Sequence, residues 1–211
     1  MPQPPDPFES SEDKARIAGL SDGIFAIALT LLVLELRVPE LANGLSLAQA
    51  RSAFDQELLH LIPRLIFFAL TFYVGSLTWL SHHRIFRHLE RYDRRVLGLN
   101  LLFLAFISLL PFSTGLLSHG DLPEAWWIYC FNIVALEILL AVLFGYALRK
   151  GFLEAQIPIQ EHRRYQVRML VTPVVFALSA AIALFNLNLA YFVPLLLLPG
   201  FWWVGRSSPQ N

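Results

Sequence analysis

The chain reads RIAGLSDGIFAIALTLLVLEL over residues 16–36. Most residues of this stretch are apolar, and its length suffices for one membrane crossing, because an α-helix rises about 1.5 Å per residue and needs about 20 residues to span hydrocarbon. Two carboxylates interrupt it, Asp22 near its start and Glu35 near its end. The stretch therefore predicts a transmembrane helix that carries an acidic side chain into the membrane.

Five further apolar stretches follow, so the sequence predicts an all-α membrane protein with six transmembrane helices. We expect these helices at about 17–36, 61–81, 97–117, 125–148, 169–187 and 189–204. Hydrophobic residues make up 56% of the 211 residues and charged residues 15%, with a mean hydropathy of +0.55, which excludes an ordinary soluble enzyme. We expect a disordered N-terminal tail at 1–13, one membrane domain at 14–205 and a C-terminal tail at 206–211.

The basic residues are divided unevenly between alternate loops, and this division predicts the orientation. With the N-terminus inside, thirteen of the sixteen Lys and Arg residues fall on the inner side and only Arg37, Arg51 and Arg64 on the outer side. Loops rich in Lys and Arg are retained in the cytoplasm. We therefore expect both termini to be cytoplasmic. Cleavage of the first stretch as a signal peptide is disfavoured, since no small-residue cleavage site follows it.

Three polar side chains are expected at a similar depth near the inner surface. They are Asp22 in the first predicted helix, His82 at the end of the second and Asn100 at the start of the third. A carboxylate costs about 2.5–3.5 kcal/mol at the centre of a membrane helix, so it normally has a partner. The spacing favours a hydrogen-bonded cluster that joins three helices. The alternative is that Asp22 only caps its helix or reaches toward the headgroups, and that the histidines are interfacial.

The sequence lacks motifs for catalysis, metal binding or nucleotide binding. His82 and His83 are adjacent, so they point to different faces of a helix, and no HExxH pair accompanies them. The single cysteine, Cys130, excludes an internal disulfide and a CxxC site. Basic and acidic residues number 16 each, which gives no indication of nucleic-acid binding. We expect no enzyme activity, no resident metal and no cofactor.

The placement of the polar residues resembles the bacterial branch of the transmembrane protein 175 family of potassium channels. The resemblance rests on Arg16-x-x-x-Leu20-Ser21-Asp22-Gly23 opening the first helix, Trp79-x-x-His82 ending the second and Asn100 starting the third. The family's hallmark is an Arg followed by Phe-Ser-Asp-Gly. Here Leu20 replaces the phenylalanine, and the Ser-Asp-Gly core is intact.

The resemblance implies a cation channel of four identical chains in the bacterial inner membrane, with the first helices lining a central pore and potassium as the permeant ion. It implies that Arg16, Ser21, Asp22 and His82 form a structural network near the cytoplasmic end, to which the depth argument adds Asn100. It also implies that selectivity comes from hydrophobic side chains on the first helix.

A helical wheel of the first helix places an apolar stripe opposite Asp22. At about 100° per residue with Ile27 at zero, Leu31 falls at about +40°, Leu34 at about −20° and Asp22 at about −140°. Thr30, at about −60°, flanks the stripe and could supply a hydroxyl ring. An apolar stripe in a membrane helix can equally face lipid or the protein core. Together with the resemblance, however, this stripe indicates the lining of a pore.

The sequence contains no Thr-Val-Gly-Tyr-Gly carbonyl filter. A ring of aliphatic side chains offers no ligand to replace hydration water, so it would favour the cation that sheds its shell at lower cost, potassium over sodium, to a modest degree. Such a ring also dewets readily and would act as a gate. Glu35 could concentrate cations at the outer mouth, or it could pair with Arg37 or be solvated. Ala28 and Leu32 are expected to face lipid.

An alternative function is a proton-coupled transporter or a non-conducting membrane-organising protein that uses the Asp22 cluster. Uncoupled ion flux in liposomes would separate a channel from a coupled transporter, because a transporter needs a gradient of a second species.

The uneven distribution of basic residues predicts the side of the membrane on which each loop lies. Reporter fusions placed after Gly120 and after Arg206 should report opposite sides, outer and cytoplasmic respectively. Finding both reporters on the same side would contradict the six-helix topology.

Overall fold

The computed structural model describes residues 11–36, 44–119, 122–154, 165 and 168–197, and α-helix dominates these ranges. The α-helices described there are α1 (Ser11–Leu31), α2 (Leu47–His88), α3 (Arg94–Ser108), α4 (Leu110–Leu116), α5 (Pro123–Arg149), α6 (Val171–Ile182) and α7 (Leu187–Phe192). Short 3₁₀ helices continue α1, α4 and α7 at Leu32–Glu35, Leu117–His119 and Val193–Leu197.

Four helical segments in the described ranges are long and apolar enough to cross a membrane. They are Lys14–Glu35, Leu47–His88, Arg94–Leu116 and Pro123–Arg149. These segments contain the first four predicted spans almost completely, so the fold is that of an all-helical integral membrane protein. α1 begins at Ser11, inside the predicted N-terminal tail, while residues 1–10 and the predicted C-terminal tail lie outside the described residues.

The fifth and sixth predicted spans do not reach full length in the described part of the chain. α6 has 12 residues, which corresponds to about 18 Å against the roughly 30 Å of a hydrocarbon core. The chain turns after Ile182, and the Asn186 side chain caps α7 by accepting a hydrogen bond from the Leu189 amide at 3.0 Å. α7 and its 3₁₀ helix then pack back against α6. The sequence predicts the boundary between the fifth and sixth spans at residue 188, and the structure places the turn slightly earlier, between Ile182 and Leu187.

α2 is longer than its predicted span of 61–81. Its 42 residues correspond to about 63 Å, about twice the thickness of the hydrocarbon core. Ser46 begins the helix with a capping box, in which its hydroxyl accepts from the Gln49 amide and the Gln49 side chain accepts from the Ser46 amide. Residues 47–60 are almost all exposed, so within the single chain this extension has a capped start and few tertiary contacts.

The third predicted span is divided into two helices. α3 ends at Ser108, and α4 begins at Leu110 with Pro111 in its first turn. Proline has no amide hydrogen to donate to the preceding turn of a helix, which explains a break at this point. The two helices together still provide a segment of 23 residues for one crossing.

α5 lies at the centre of the helix packing, in contact with α3, α4 and α6. Trp126 and Tyr129 on α5 are fully buried. The Trp126 indole donates to the Ser179 hydroxyl at 3.1 Å, and that hydroxyl donates to the Ala190 carbonyl oxygen at 2.7 Å. These two bonds connect α5, α6 and α7, so the short helices are fixed to the core although neither is long enough to cross a membrane alone.

One side of α1 packs against the rest of the bundle, and this side differs in part from the prediction. Ala28 and Leu32 were expected to face lipid, yet they are 2% and 0% exposed. They share this side with Ser21 and Phe25, which are also buried. The expectation for Ala28 and Leu32 was therefore wrong, because hydrophobicity alone cannot distinguish contact with lipid from contact with a neighbouring helix.

Replacing Leu32 with alanine should destabilise the chain, whereas replacing its neighbour Val33 should not. Leu32 is fully buried, so Leu32→Ala leaves a cavity that typically costs about 2–5 kcal/mol. Val33 is 50% exposed, and Val33→Ala should change the free energy of unfolding by no more than about 0.5 kcal/mol. Thermal unfolding of the two purified variants in detergent measures the difference. Equal losses of stability in the two variants would contradict the assignment of Leu32 to the packed side of α1.

Candidate functional site

A chain of hydrogen bonds joins α1, α3 and α2 through three buried polar side chains. The Asn100 amide donates to the Ser21 hydroxyl at 3.1 Å, and the Asn100 carbonyl oxygen lies 2.9 Å from Nε2 of His82. The Ser21 hydroxyl donates to the Ile17 carbonyl oxygen at 2.9 Å, four residues earlier in α1. All three side chains are at most 1% exposed. The structure thus brings together Ser21, His82 and Asn100 from the predicted network.

His82 is enclosed by aromatic rings. Its imidazole stacks on Phe86 at 4.3 Å and on Phe103 at 5.4 Å between ring centroids, and Phe25 lies 5.8 Å away. Because the amide oxygen of Asn100 can only accept, Nε2 of His82 is the donor in their bond. The imidazole therefore serves as an enclosed connecting group and is not open to a passing ion.

Asp22 belongs to a second, adjoining contact. Its carboxylate accepts a hydrogen bond from the Trp79 indole at 2.8 Å. Trp79 lies one turn before His82 on α2. The expected cluster around Asp22 is thus divided into two hydrogen-bonded pairs, Asp22 with Trp79 and His82 with Asn100. Trp79 was present in the sequence motif without an assigned role, although an indole N–H in a membrane helix needs an acceptor. Arg16, the fifth member of the predicted network, is exposed on α1.

Two glycines allow close approach to the other half of α1. A side chain at Gly75 of α2 would collide with Leu29, whose Cδ2 lies 2.7 Å from the position of the missing Cβ. A side chain at Gly115 of α4 would collide with the Glu35 carboxylate. Glu35 therefore lies against α4 at the end of α1 opposite to the network. Its expected neighbour Arg37 lies outside the described residues.

The predicted apolar stripe is exposed in the single chain. Ile27 is 61% exposed, Leu31 41% and Leu34 67%. α1 changes to a 3₁₀ helix after Leu31, where residues three apart lie above one another, so Leu34 aligns with Leu31. Thr30 is exposed beside them, and its hydroxyl donates within α1 to the carbonyl oxygens of Ala26 and Ile27 at 2.8 and 2.9 Å. The packed side and the stripe thus occupy opposite sides of α1.

Further polar pairs are buried away from α1, and the sequence analysis did not find them. The Thr78 hydroxyl of α2 donates to the Glu137 carboxylate of α5, which is 5% exposed. The hydroxyls of Thr71 and Tyr129 lie 2.9 Å apart, also between α2 and α5. Glu137 was visible as the only carboxylate within the fourth predicted span. Its partner could not be identified, because threonines are common in membrane helices.

Asp93 organises the turn between α2 and α3, outside the membrane-spanning segments. Its carboxylate caps α3 by accepting from the amides of Arg95 and Val96, and it accepts from the Tyr146 hydroxyl of α5 at 2.5 Å. Burial alone would raise the pKa of Asp93, but these hydrogen bonds outweigh it and lower the pKa below the ordinary value. An ionised Asp93 therefore connects the turn to the end of α5.

No cluster of three or more His, Cys, Asp or Glu side chains suited to hold a metal ion occurs in the described ranges. The polar groups near α1 are arranged to bond one another across helices. Toward the outside of the chain, α1 presents its apolar stripe.

Comparisons with known proteins relate this arrangement to one family. The family model described as endosomal/lysosomal potassium channel TMEM175 matches residues 16–111, which include α2, α3 and most of α1. A protein of Chamaesiphon minutus named a potassium channel is 34% identical over 154 residues, covering 70% of this chain and 72% of that protein. The chain belongs to the TMEM175 family.

Two further comparisons within the TMEM175 family are with a longer protein and with a protein of known structure. The rat protein named an endosomal/lysosomal proton channel is 26% identical over 193 residues, which cover 88% of this chain but only 37% of the rat protein. The crystal structure of a TMEM175 homologue from Chamaesiphon minutus, described as a lysosomal potassium-selective channel homologue, matches with a TM-score of 0.78 at 26% identity. That match covers 93% of this chain and all of the solved chain, so the two share one fold over nearly their whole length.

Double-mutant cycles on this TMEM175 chain should separate the two polar contacts. Asp22→Ala combined with Trp79→Phe, and His82→Ala combined with Asn100→Ala, should each give a coupling energy of about 0.5–3 kcal/mol, because each pair shares a hydrogen bond. Asp22→Ala combined with His82→Ala should give a smaller coupling energy than either bonded pair, because Asp22 and His82 share no hydrogen bond. Thermal unfolding in detergent supplies the energies. Strong coupling between Asp22 and His82 would restore the single cluster expected from the sequence.

Proposed function

We propose that four copies of this chain form a cation channel that conducts potassium, with α1 of each copy lining a central pore. Membership in the TMEM175 family and the potassium-channel names of bacterial relatives support an ion-conducting role. A stripe on one helix encloses a path only when several copies surround an axis, and closed rotational symmetry is the usual arrangement of identical chains. We place this channel in the bacterial inner membrane with both termini in the cytoplasm.

The observation that carries the proposal is the division of α1 into two sides. Ser21, Phe25 and Leu32 pack into the bundle, while Ile27 and Leu31 project outward. In the proposed assembly the projecting side meets its symmetry mates, and the packed side keeps α1 attached to its own chain. The polar network then holds α1 in this rotation and binds no ion, since its members are occupied with one another.

Ion selection in such a pore depends on the width and dryness of an aliphatic ring. Rings of Ile27, Leu31 and Leu34 supply no oxygen ligands, so an ion passes only if its hydration shell deforms or is partly lost, and potassium loses water at lower cost than sodium. The resulting preference for potassium is modest. Thr30 adds a hydroxyl oxygen beside the ring, and Glu35 contributes negative charge from the α4 side at the predicted outer end.

Widening the ring at Leu31 should raise conductance and weaken the preference for potassium. Leu31→Ala removes part of the constriction, so sodium can pass with more of its hydration shell, and we expect a several-fold rise in flux. Leu31→Asn should wet the ring and relax gating. Potassium flux into liposomes without any second gradient, followed by reversal potentials under potassium–sodium bi-ionic conditions, measures both effects.

Leu101→Ala is the matched control, because Leu101 lies on α3 with an exposure of 48%, close to the 41% of Leu31. Its flux and selectivity should equal those of the wild type. If Ile27→Ala, Leu31→Ala and Leu34→Ala all behave like this control, the stripe faces lipid and the pore lies elsewhere. Flux that requires a proton gradient would instead favour the coupled transporter.

A further inference from the structure

A cavity of about 310 Å³ lies between α2, α5 and the hairpin formed by α6 and α7. Ligand pockets commonly measure about 300–1,000 Å³, so this cavity is large enough for a slender ligand. Its walls are mainly apolar and include Leu77, Leu80, Met169, Val171 and Leu197. The cavity thus has the size and the chemistry to hold a hydrocarbon chain, and its lining residues include none from α1.

Two arginines line the same cavity. Arg84 of α2 and Arg168, just before α6, are both exposed. The Arg84 guanidinium lies 5.5 Å from the ring centre of Tyr165, within the range of a cation–π contact. Tyr165 is itself anchored, because its hydroxyl donates to the Ser81 carbonyl oxygen at 2.9 Å. An aromatic ring therefore positions Arg84 at the cavity.

One carboxylate, Glu137, also lines the cavity, so basic side chains outnumber acidic ones in its described wall by two to one. Glu137 is 5% exposed and accepts a hydrogen bond from Thr78. The surface that a ligand meets is therefore apolar, with exposed positive charge at Arg84 and Arg168. Arg84 lies about one turn before the end of α2 at His88, and lipid headgroups gather at the ends of membrane helices.

We infer that this cavity binds an anionic phospholipid, with an acyl chain against Leu80 and Met169 and the phosphate at Arg84 and Arg168. Guanidinium groups bind phosphate through charge-assisted and often paired hydrogen bonds, and basic pockets between membrane helices suit acidic headgroups. A free phosphate would leave the apolar walls unused. A zwitterionic lipid would bring its own cation next to two guanidiniums.

Native mass spectrometry of the purified full-length protein tests this site. Wild-type protein, stripped of lipid, is titrated with phosphatidylglycerol and with phosphatidylcholine of the same acyl chains. We expect the phosphatidylglycerol affinity to be higher by roughly 30-fold, because two basic groups at about 1 kcal/mol each give about 2 kcal/mol and each 1.4 kcal/mol is about tenfold. The double variant Arg84→Gln/Arg168→Gln should lose this preference. The matched control Arg87→Gln/Arg91→Gln removes two exposed arginines near the same end of α2 and should retain it.

A second pair of variants tests the acyl-chain site without changing charge. Thr172 lines the cavity, so Thr172→Trp should fill it and weaken binding of both lipids. Val174 is 62% exposed on the same helix, and Val174→Trp should leave binding unchanged. Because this pair keeps both arginines, the test remains decisive if the double glutamine variant does not fold.

Five results would overturn the inference, the first being unchanged binding of both lipids to the Thr172→Trp variant. Equal wild-type affinity for the two phospholipids would remove the role of charge, and an equal loss in the Arg87/Arg91 control would indicate general surface attraction. Competition by glycerol 1-phosphate at the lipid concentration would indicate a site for free phosphate. Oleate binding as tightly as phosphatidylglycerol would indicate a fatty-acid site.

Discussion

The requirement that polar groups within hydrocarbon find partners inside the protein determines how α1 is placed. Ser21, Asn100 and His82 satisfy one another across three helices, and Asp22 is satisfied by Trp79. Water cannot replace these partners in the membrane core, so turning α1 about its axis would leave several groups unpaired, at roughly 1–3 kcal/mol each. The hydrogen bonds therefore define which side of α1 faces its own chain.

The opposite side of α1 is apolar where it lies beyond the network. Ile27 and Leu31 project from it, and Gly23 leaves it without a side chain one turn earlier. An apolar surface of this kind costs little free energy either in lipid or against another helix. Its composition therefore does not determine which of the two it faces. In the proposed channel this side faces the pore, and the hydrogen-bond network supplies the rotation that such a pore requires.

Much of this arrangement could be predicted from the sequence, because depth in the membrane follows from position along a hydrophobic stretch. The shared depth of Asp22, His82 and Asn100 was predictable for this reason. The pairing of Asp22 with Trp79 was not, because it depends on the rotation of α2 relative to α1. The burial of Leu32 was also missed, since leucine suits lipid and protein core equally.

Three attachments along α1 limit how a pore lined by its stripe can open. Ser21 is bonded to Asn100, Leu29 lies against Gly75, and the Glu35 carboxylate lies against Gly115. These contacts involve α3, α2 and α4 in turn. Rotating α1 alone would therefore break the buried hydrogen bond and move the Leu29 and Glu35 side chains away from the glycines against which they pack. If the stripe lines the pore as proposed, opening comes either from rotamer changes of the stripe side chains or from movement of α1 together with the helices that hold it.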